Sequence, residues 1–186
     1  FCFLQQTAYE RLRRLVGSEI CRRDRTTILT SEQIAHKIRR IAYQIYEANI
    51  HQEKIILAGI ERNGYIFAEK LHEELSRICP IPVILCSVKV NKTNVLAPVT
   101  TSLPVEEYTN QSVVLVDDVL SSGATLIYGV KHFLEVPLKQ LKTAVLVNRN
   151  HKKFPIKADF KGLSLSTSLQ EHIEVSFEGE PHAYLQ

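Results

Sequence analysis

Methionine occurs nowhere in this chain of 186 residues. No stretch approaches the roughly 20 consecutive apolar residues that span a bilayer. The opening Phe1-Cys2-Phe3-Leu4 is too short for a secretory leader and lacks its positive flank, so the expectation is a cytoplasmic protein without a membrane segment. Cys2, Cys21, Cys79 and Cys86 form neither a CxxC pair nor a His-paired zinc spacing, which removes the usual dithiol and zinc-finger readings. Cys86 lies in an apolar run and is expected as a reduced core thiol. No G-x-x-x-x-G-K-[ST] occurs, so a Walker-type nucleotide loop is excluded. Net charge is small as well. The formal +3 is carried entirely by residues 1–25, where six arginines face Glu10, Glu19 and Asp24. The neutral remainder argues against a broad nucleic-acid surface.

What is present fits one compact domain with a real core: hydrophobic residues make up 45% and charged residues 23%. Residues 1–25 read as a basic N-terminal extension, with a short amphipathic helix over 5–16 and no assigned function. Thr30 and Gln33 have capping-box spacing, and Ile34, Ile38, Ile41, Ala42 and Ile45 form a helical stripe facing a core. Residues 55–60 (IILAGI) form a short apolar run of the kind buried on both faces of a parallel sheet. Glu61-Arg62-Asn63-Gly64 stops that run, and a helix to about Arg77 follows. A second strand is expected over 83–90 and a third over 113–116. A fourth covers 143–147 and a late one 173–177. Residues 91–111 lack periodicity and read as a functional loop. Strand–helix–strand alternation predicts an α/β domain with a parallel twisted sheet flanked by helices.

The chemistry concentrates in VVLVDDVLSSGAT, residues 113–125. Asp117 and Asp118 fall at the carboxyl end of a buried strand, where open α/β sheets bind ligands. Ser121, Ser122, Gly123, Ala124 and Thr125 then open a helix. Gly123 tolerates unusual backbone angles, and small neighbours let several amides converge on one anion at the helix N-terminus. Acceptors at the strand end suit sugar hydroxyls, and donors in the turn suit a phosphate. A ribose 5-phosphate carries both. An isolated Asp pair or Ser-Gly hinge would merely cap a turn; their order along one strand–turn–helix is what favours a site.

That stretch resembles the phosphoribosyl pyrophosphate (PRPP) signature of type I phosphoribosyltransferases. Residues 30–71 and 144–175 further resemble the bifunctional pyrimidine-operon attenuator/uracil phosphoribosyltransferases, most tellingly over AVLVNRNHKKFPIKADFKGLSLSTS (144–168). The resemblance implies that Asp117 and Asp118 hold the ribose hydroxyls and possess the reach to a Mg²⁺ carried by PRPP. It implies that residues 121–125 cradle the 5′-phosphate, and that Glu61, Arg62, Asn63 and Gly64 form the pyrophosphate loop. A small hood over residues 148–177 would cover the base, with Val147, Asn148 and Arg149 beside it, leaving 178–186 as a tail. Residues 91–109 would close as a lid, with Lys89 and Lys92 as its cations. The implied reaction is displacement at C1 of the ribose, a nucleobase replacing pyrophosphate, with Mg²⁺ as cofactor and a homo-oligomer, dimer or tetramer, as the assembly.

Three positions depart from the pattern. Ser121 stands where hypoxanthine-guanine enzymes usually carry a third Asp, which favours uracil over a purine. Asn148-Arg149-Asn150-His151 replaces the attenuator family's usual Asp-Arg-Gly-His. The lid offers lysines where an arginine is usual. A purine transferase, and a PRPP- or nucleotide-sensing regulator with reduced catalysis, stay open as alternatives; RNA is a partner the neutral body does not favour.

Overall fold

The computed structural model describes residues 26–91, 97–150, 152–166 and 171–185. The expected helix over 5–16, Cys2, Cys21, Lys92 and His151 lie outside them.

Strand β1 (Thr26–Leu29) leads into helix α1 (Ser31–Ala48) through the predicted capping box. The Gln33 N–H donates to Thr30 Oγ1 at 3.4 Å, and the Thr30 N–H donates to Gln33 Oε1 at 3.1 Å. All five residues of the stripe are buried. Each of its isoleucines stabilises the fold by about 2 kcal/mol through removal of apolar surface from water. Then come β2 (Ile55–Ile60), α2 (Asn63–Ile78), β3 (Val83–Lys89), β4 (Thr100–Thr101) and the short α3 (Val105–Tyr108). The chain continues through β5 (Ser112–Leu120), α4 (Ala124–Phe133), β6 (Gln140–Arg149), β7 (Phe160–Leu165), β8 (Ile173–Ser176) and β9 (His182–Leu185).

The main sheet has six strands in the order β4-β3-β2-β5-β6-β7. Every pairing is parallel except β3 with β4. Helices α1 and α2 bury Ile41, Ile45, Phe67 and Leu71 against one face; α4 buries Leu126 and Phe133 against the other. Because both faces are covered, β2 is buried at every position, which is why it reads as an unbroken apolar run. From the central β2–β5 pair the chain winds outward to β3 on one side and to β6 and β7 on the other. Such a reversal opens a crevice at the carboxyl ends of the strands. Cys86 is a buried free thiol, as expected. Among the described residues no helix is long and apolar enough to cross a membrane.

A second sheet, of three antiparallel strands in the order β1-β9-β8, changes the expected boundaries. Residues 178–186, read as a tail, contain β9, which pairs with both β1 and β8. The hood expected over 148–177 is divided, because β7 joins the main sheet as an edge strand while β8 belongs to the small sheet. The physical reason is long-range pairing: Thr26 aligns with Leu185 and Thr27 with Tyr184, a register that no local periodicity encodes.

Candidate active site

Strand β5 carries the acid pair. It runs on through both aspartates to Leu120, further than its apolar run alone predicts. Asp117 is only 5% exposed, and its Oδ1 accepts the Asp118 N–H at 3.0 Å. Both side chains border a cleft of about 360 Å³ that also reaches Ser121, Ser122, Gly123 and Thr125. The acid pair and the small-residue turn therefore meet at one cavity.

Gly123 is the N-cap of α4, at φ 85° in the left-handed region, and no side chain caps that helix. The turn's own amide bond is weak, Ala124 N–H to Ser122 Oγ at 3.3 Å. First-turn amides of α4 thus remain for a ligand, beside the positive end of the helix dipole. The turn is held from behind. The Ser122 carbonyl accepts the N–H of Lys153 at 2.9 Å and of Phe154 at 3.1 Å. A Cβ on residue 123 would lie 2.7 Å from Ile156 Cγ2, so glycine is required by space as well as by φ.

The second loop, between β2 and α2, is strained. Arg62 adopts φ 75° and ψ −128° without being glycine, and it leaves α2 without a side-chain cap. Such outliers cost about 1–3 kcal/mol and gather at ligand sites. The Glu61 N–H donates to the Val88 carbonyl at 2.9 Å, fixing the loop to β3. A Cβ on Gly64 would lie 3.0 Å from Asp117 Oδ1 and 3.2 Å from the Val116 carbonyl, so this loop abuts the acid pair directly. Glu61, Arg62, Lys89, Asn91 and Thr100 border a second cleft of about 470 Å³. Asn63, next in the chain, borders the first cleft and donates from Nδ2 to the Val175 carbonyl of β8 at 2.8 Å. One loop therefore separates a cleft holding the acid pair and several hydroxyls from a cleft with two cations and one acid.

The expected base-side residues are placed differently. Val147 is fully buried in the core formed with α1 and α2, so its side chain does not reach the first cleft. Asn148 is 6% exposed and donates to Ser164 Oγ at 3.2 Å, while its Oδ1 is buried without a partner. Arg149 is 5% exposed and turns to the other side, donating to Ser121 Oγ at 3.2 Å. None of the three is among the residues bordering that cleft. The small sheet supplies its far wall instead, through His172, Ile173, Glu174 and Val175. Sequence reasoning named none of these four as site residues. They fall within the hood expected over 148–177, and the late strand was their only individual signal.

Among the described residues, no three His, Cys, Asp or Glu side chains gather to hold a metal ion unaided. Two adjacent carboxylates do fit a Mg²⁺ that completes its shell with water and ligand phosphate oxygens, the usual habit of that ion.

A twisted parallel sheet with an acid pair and an uncapped helix N-terminus at its carboxyl edge defines a phosphoribosyltransferase-type fold. The phosphoribosyl transferase domain family matches residues 24–182, and the chain belongs to it as a type I phosphoribosyltransferase. The Bifunctional protein PyrR of Streptococcus thermophilus is 36% identical over 141 residues, covering 74% of this chain and 82% of that protein. Its counterpart in Haemophilus ducreyi is 32% identical over 162 residues, covering 81% and 89%. Solved structures share the fold at lower identity. A hypoxanthine-guanine phosphoribosyltransferase of Bacillus anthracis superposes with a TM-score of 0.70 at 20% identity, covering 87% of this chain and 96% of that one. The hypoxanthine phosphoribosyltransferase of Trypanosoma cruzi gives 0.70 at 17%, covering 86% and 95%.

Proposed function

We propose that this protein transfers the 5-phosphoribosyl group of PRPP to a nucleobase, uracil foremost, and releases pyrophosphate. The observation that carries the reading is the meeting of Asp117, Asp118 and the uncapped N-terminus of α4 at one cleft. In this reading the two carboxylates accept the ribose 2′- and 3′-hydroxyls. Amides and hydroxyls of residues 121–125 bind the 5′-phosphate. The diphosphate lies over Glu61, Arg62, Asn63 and Gly64 and reaches toward Lys89. The C1–O bond to pyrophosphate breaks and a bond from C1 to the uracil nitrogen forms, with the N–H proton released. Positive charge builds on the sugar ring as the leaving group departs, as in glycoside cleavage, and the acid pair lies where it offsets that charge. Mg²⁺, when bound, supplies charge neutralisation to the departing diphosphate.

Support for uracil is Ser121, which denies a purine ring the third carboxylate, together with the likeness to proteins named PyrR. The test is product formation from labelled uracil, hypoxanthine or guanine with PRPP and Mg²⁺. UMP formed in preference to the purine nucleotides is the expected outcome. No product with any base and no PRPP binding by calorimetry sinks the proposal. A second reading, a PRPP- or nucleotide-sensing regulator, is favoured by Asn148, whose buried amide oxygen has no partner. Calorimetric binding of PRPP or UMP without turnover of any base would select it.

A further inference from the structure

Arg149 was expected beside the base, and its guanidinium reaches the first residue of the turn after β5. It lies on β6, beside the end of β5, where Leu120 aligns with Asn148. At 5% exposure it is as buried as Asp117, and it donates to Ser121 Oγ at 3.2 Å. Ser121 opens the turn at residues 121–125 and borders the first cleft. A serine hydroxyl has one proton to give and two lone pairs to accept with. Once a guanidinium occupies a lone pair, the single O–H is free to point at an anion, and a bond received from a cation strengthens the bond given onward.

The geometry points to Arg149 as a positioning residue for the phosphate turn: it turns Ser121 into a one-way donor toward the 5′-phosphate. This rests on the reading of residues 121–125 as the phosphate cradle. The main chain after β6 supports the same turn, since the N–H groups of Lys153 and Phe154 hold the Ser122 carbonyl and Ile156 packs where a side chain on residue 123 would go. Arg149 adds a charged side chain to that support. Asn148, its neighbour, faces Ser164 on β7 and takes no part.

The test is a double-mutant cycle on Arg149→Gln and Ser121→Ala in the full chain, read by PRPP binding in calorimetry and by KM for PRPP, KM for uracil and kcat. Arg149→Gln is expected to weaken PRPP about tenfold, the size of a hydrogen bond involving a charged group, while KM for uracil stays near its wild-type value and kcat falls far less. Arg149→Lys is expected to recover part of that loss, because it keeps the charge without the planar fork. With Ser121→Ala already present, adding Arg149→Gln is expected to cost little more, since the shared link is gone. Full additivity of the two changes overturns the inference, as does a loss confined to KM for uracil. If Arg149→Gln fails to fold, judged by thermal melting, Ser121→Ala alone reads the link, and unchanged PRPP affinity in that variant overturns the inference. Failure of the underlying reading shows separately, as wild-type protein that binds no PRPP.

Discussion

The two clefts at the carboxyl edge of the main sheet differ in chemistry and in construction. The first presents Asp117, Asp118 and the hydroxyls of the turn after β5, with His172 and Glu174 on its far wall. The second presents Arg62 and Lys89. The acid pair with small donors sits on one side of the loop that begins at Glu61, and two cations with the single Glu61 carboxylate sit on the other. A ligand with a sugar diol and monophosphate at one end and a diphosphate at the other satisfies both; a ligand with only one end satisfies half. The difference teaches that the proposed recognition would be divided, with the Gly64 backbone packed close against Asp117 between the two clefts.

The strongest way to break that division is at the acid pair. Asp117→Asn combined with Asp118→Asn is expected to lower kcat/KM for uracil by roughly a hundredfold or more, the scale for losing preorganised charge stabilisation. Inorganic pyrophosphate binding should survive in that variant, because Arg62 and Lys89 are untouched. Equal loss of both would show the clefts to be one site. Gly123→Ala comes next. With φ at 85° and Ile156 2.7 Å from the new Cβ, it should cost about 1–3 kcal/mol of stability. It should also weaken ribose 5-phosphate in calorimetry while leaving pyrophosphate nearly unaffected.

A subtler probe is Arg62→Gly. Glycine adopts φ 75° without strain, so denaturant unfolding should show a gain of about 1 kcal/mol. The same change should weaken pyrophosphate binding, which separates the strain from its use. Unchanged pyrophosphate affinity would remove the cation from the second cleft's chemistry.

The smallest effect is expected at Tyr108, which packs on Phe133 beneath that side of the sheet. Burial raises its phenol above the ordinary 10.0, so the fold favours the neutral form. Stability from this group is complete below pH 10 and is lost as pH climbs from there through the raised value. Tyr108→Phe should flatten the alkaline limb of a melting-temperature profile and leave the neutral region little changed. An identical alkaline limb would refute the assignment.

Legibility follows the same division. The first cleft was readable because strand, acids, turn and helix are consecutive, and the capping box at Thr30 was readable because its partners are three residues apart. Contiguous devices leave contiguous signatures. The second cleft draws Lys89 and Asn91 from β3 and its exit and Thr100 from β4, and only the loop at 61–64 is continuous. Strand β7, sequence FKGLSL, is a half-exposed edge strand whose pattern is too mixed to announce itself. Strands β1 and β9 are four residues each and become strands through each other. That Val147 lies in the core and not on the first cleft was illegible for a related reason: a sequence position beside a motif does not say which way a strand's side chain faces.

The pairing of Thr26 with Leu185 also sets an order of assembly. A ribosome delivers β1 first and β9 last of the described elements, so every strand of the six-stranded sheet emerges before β1 meets its partner. Strand β8, which borders the first cleft, therefore gains its pairing partner only when the last described strand has been made.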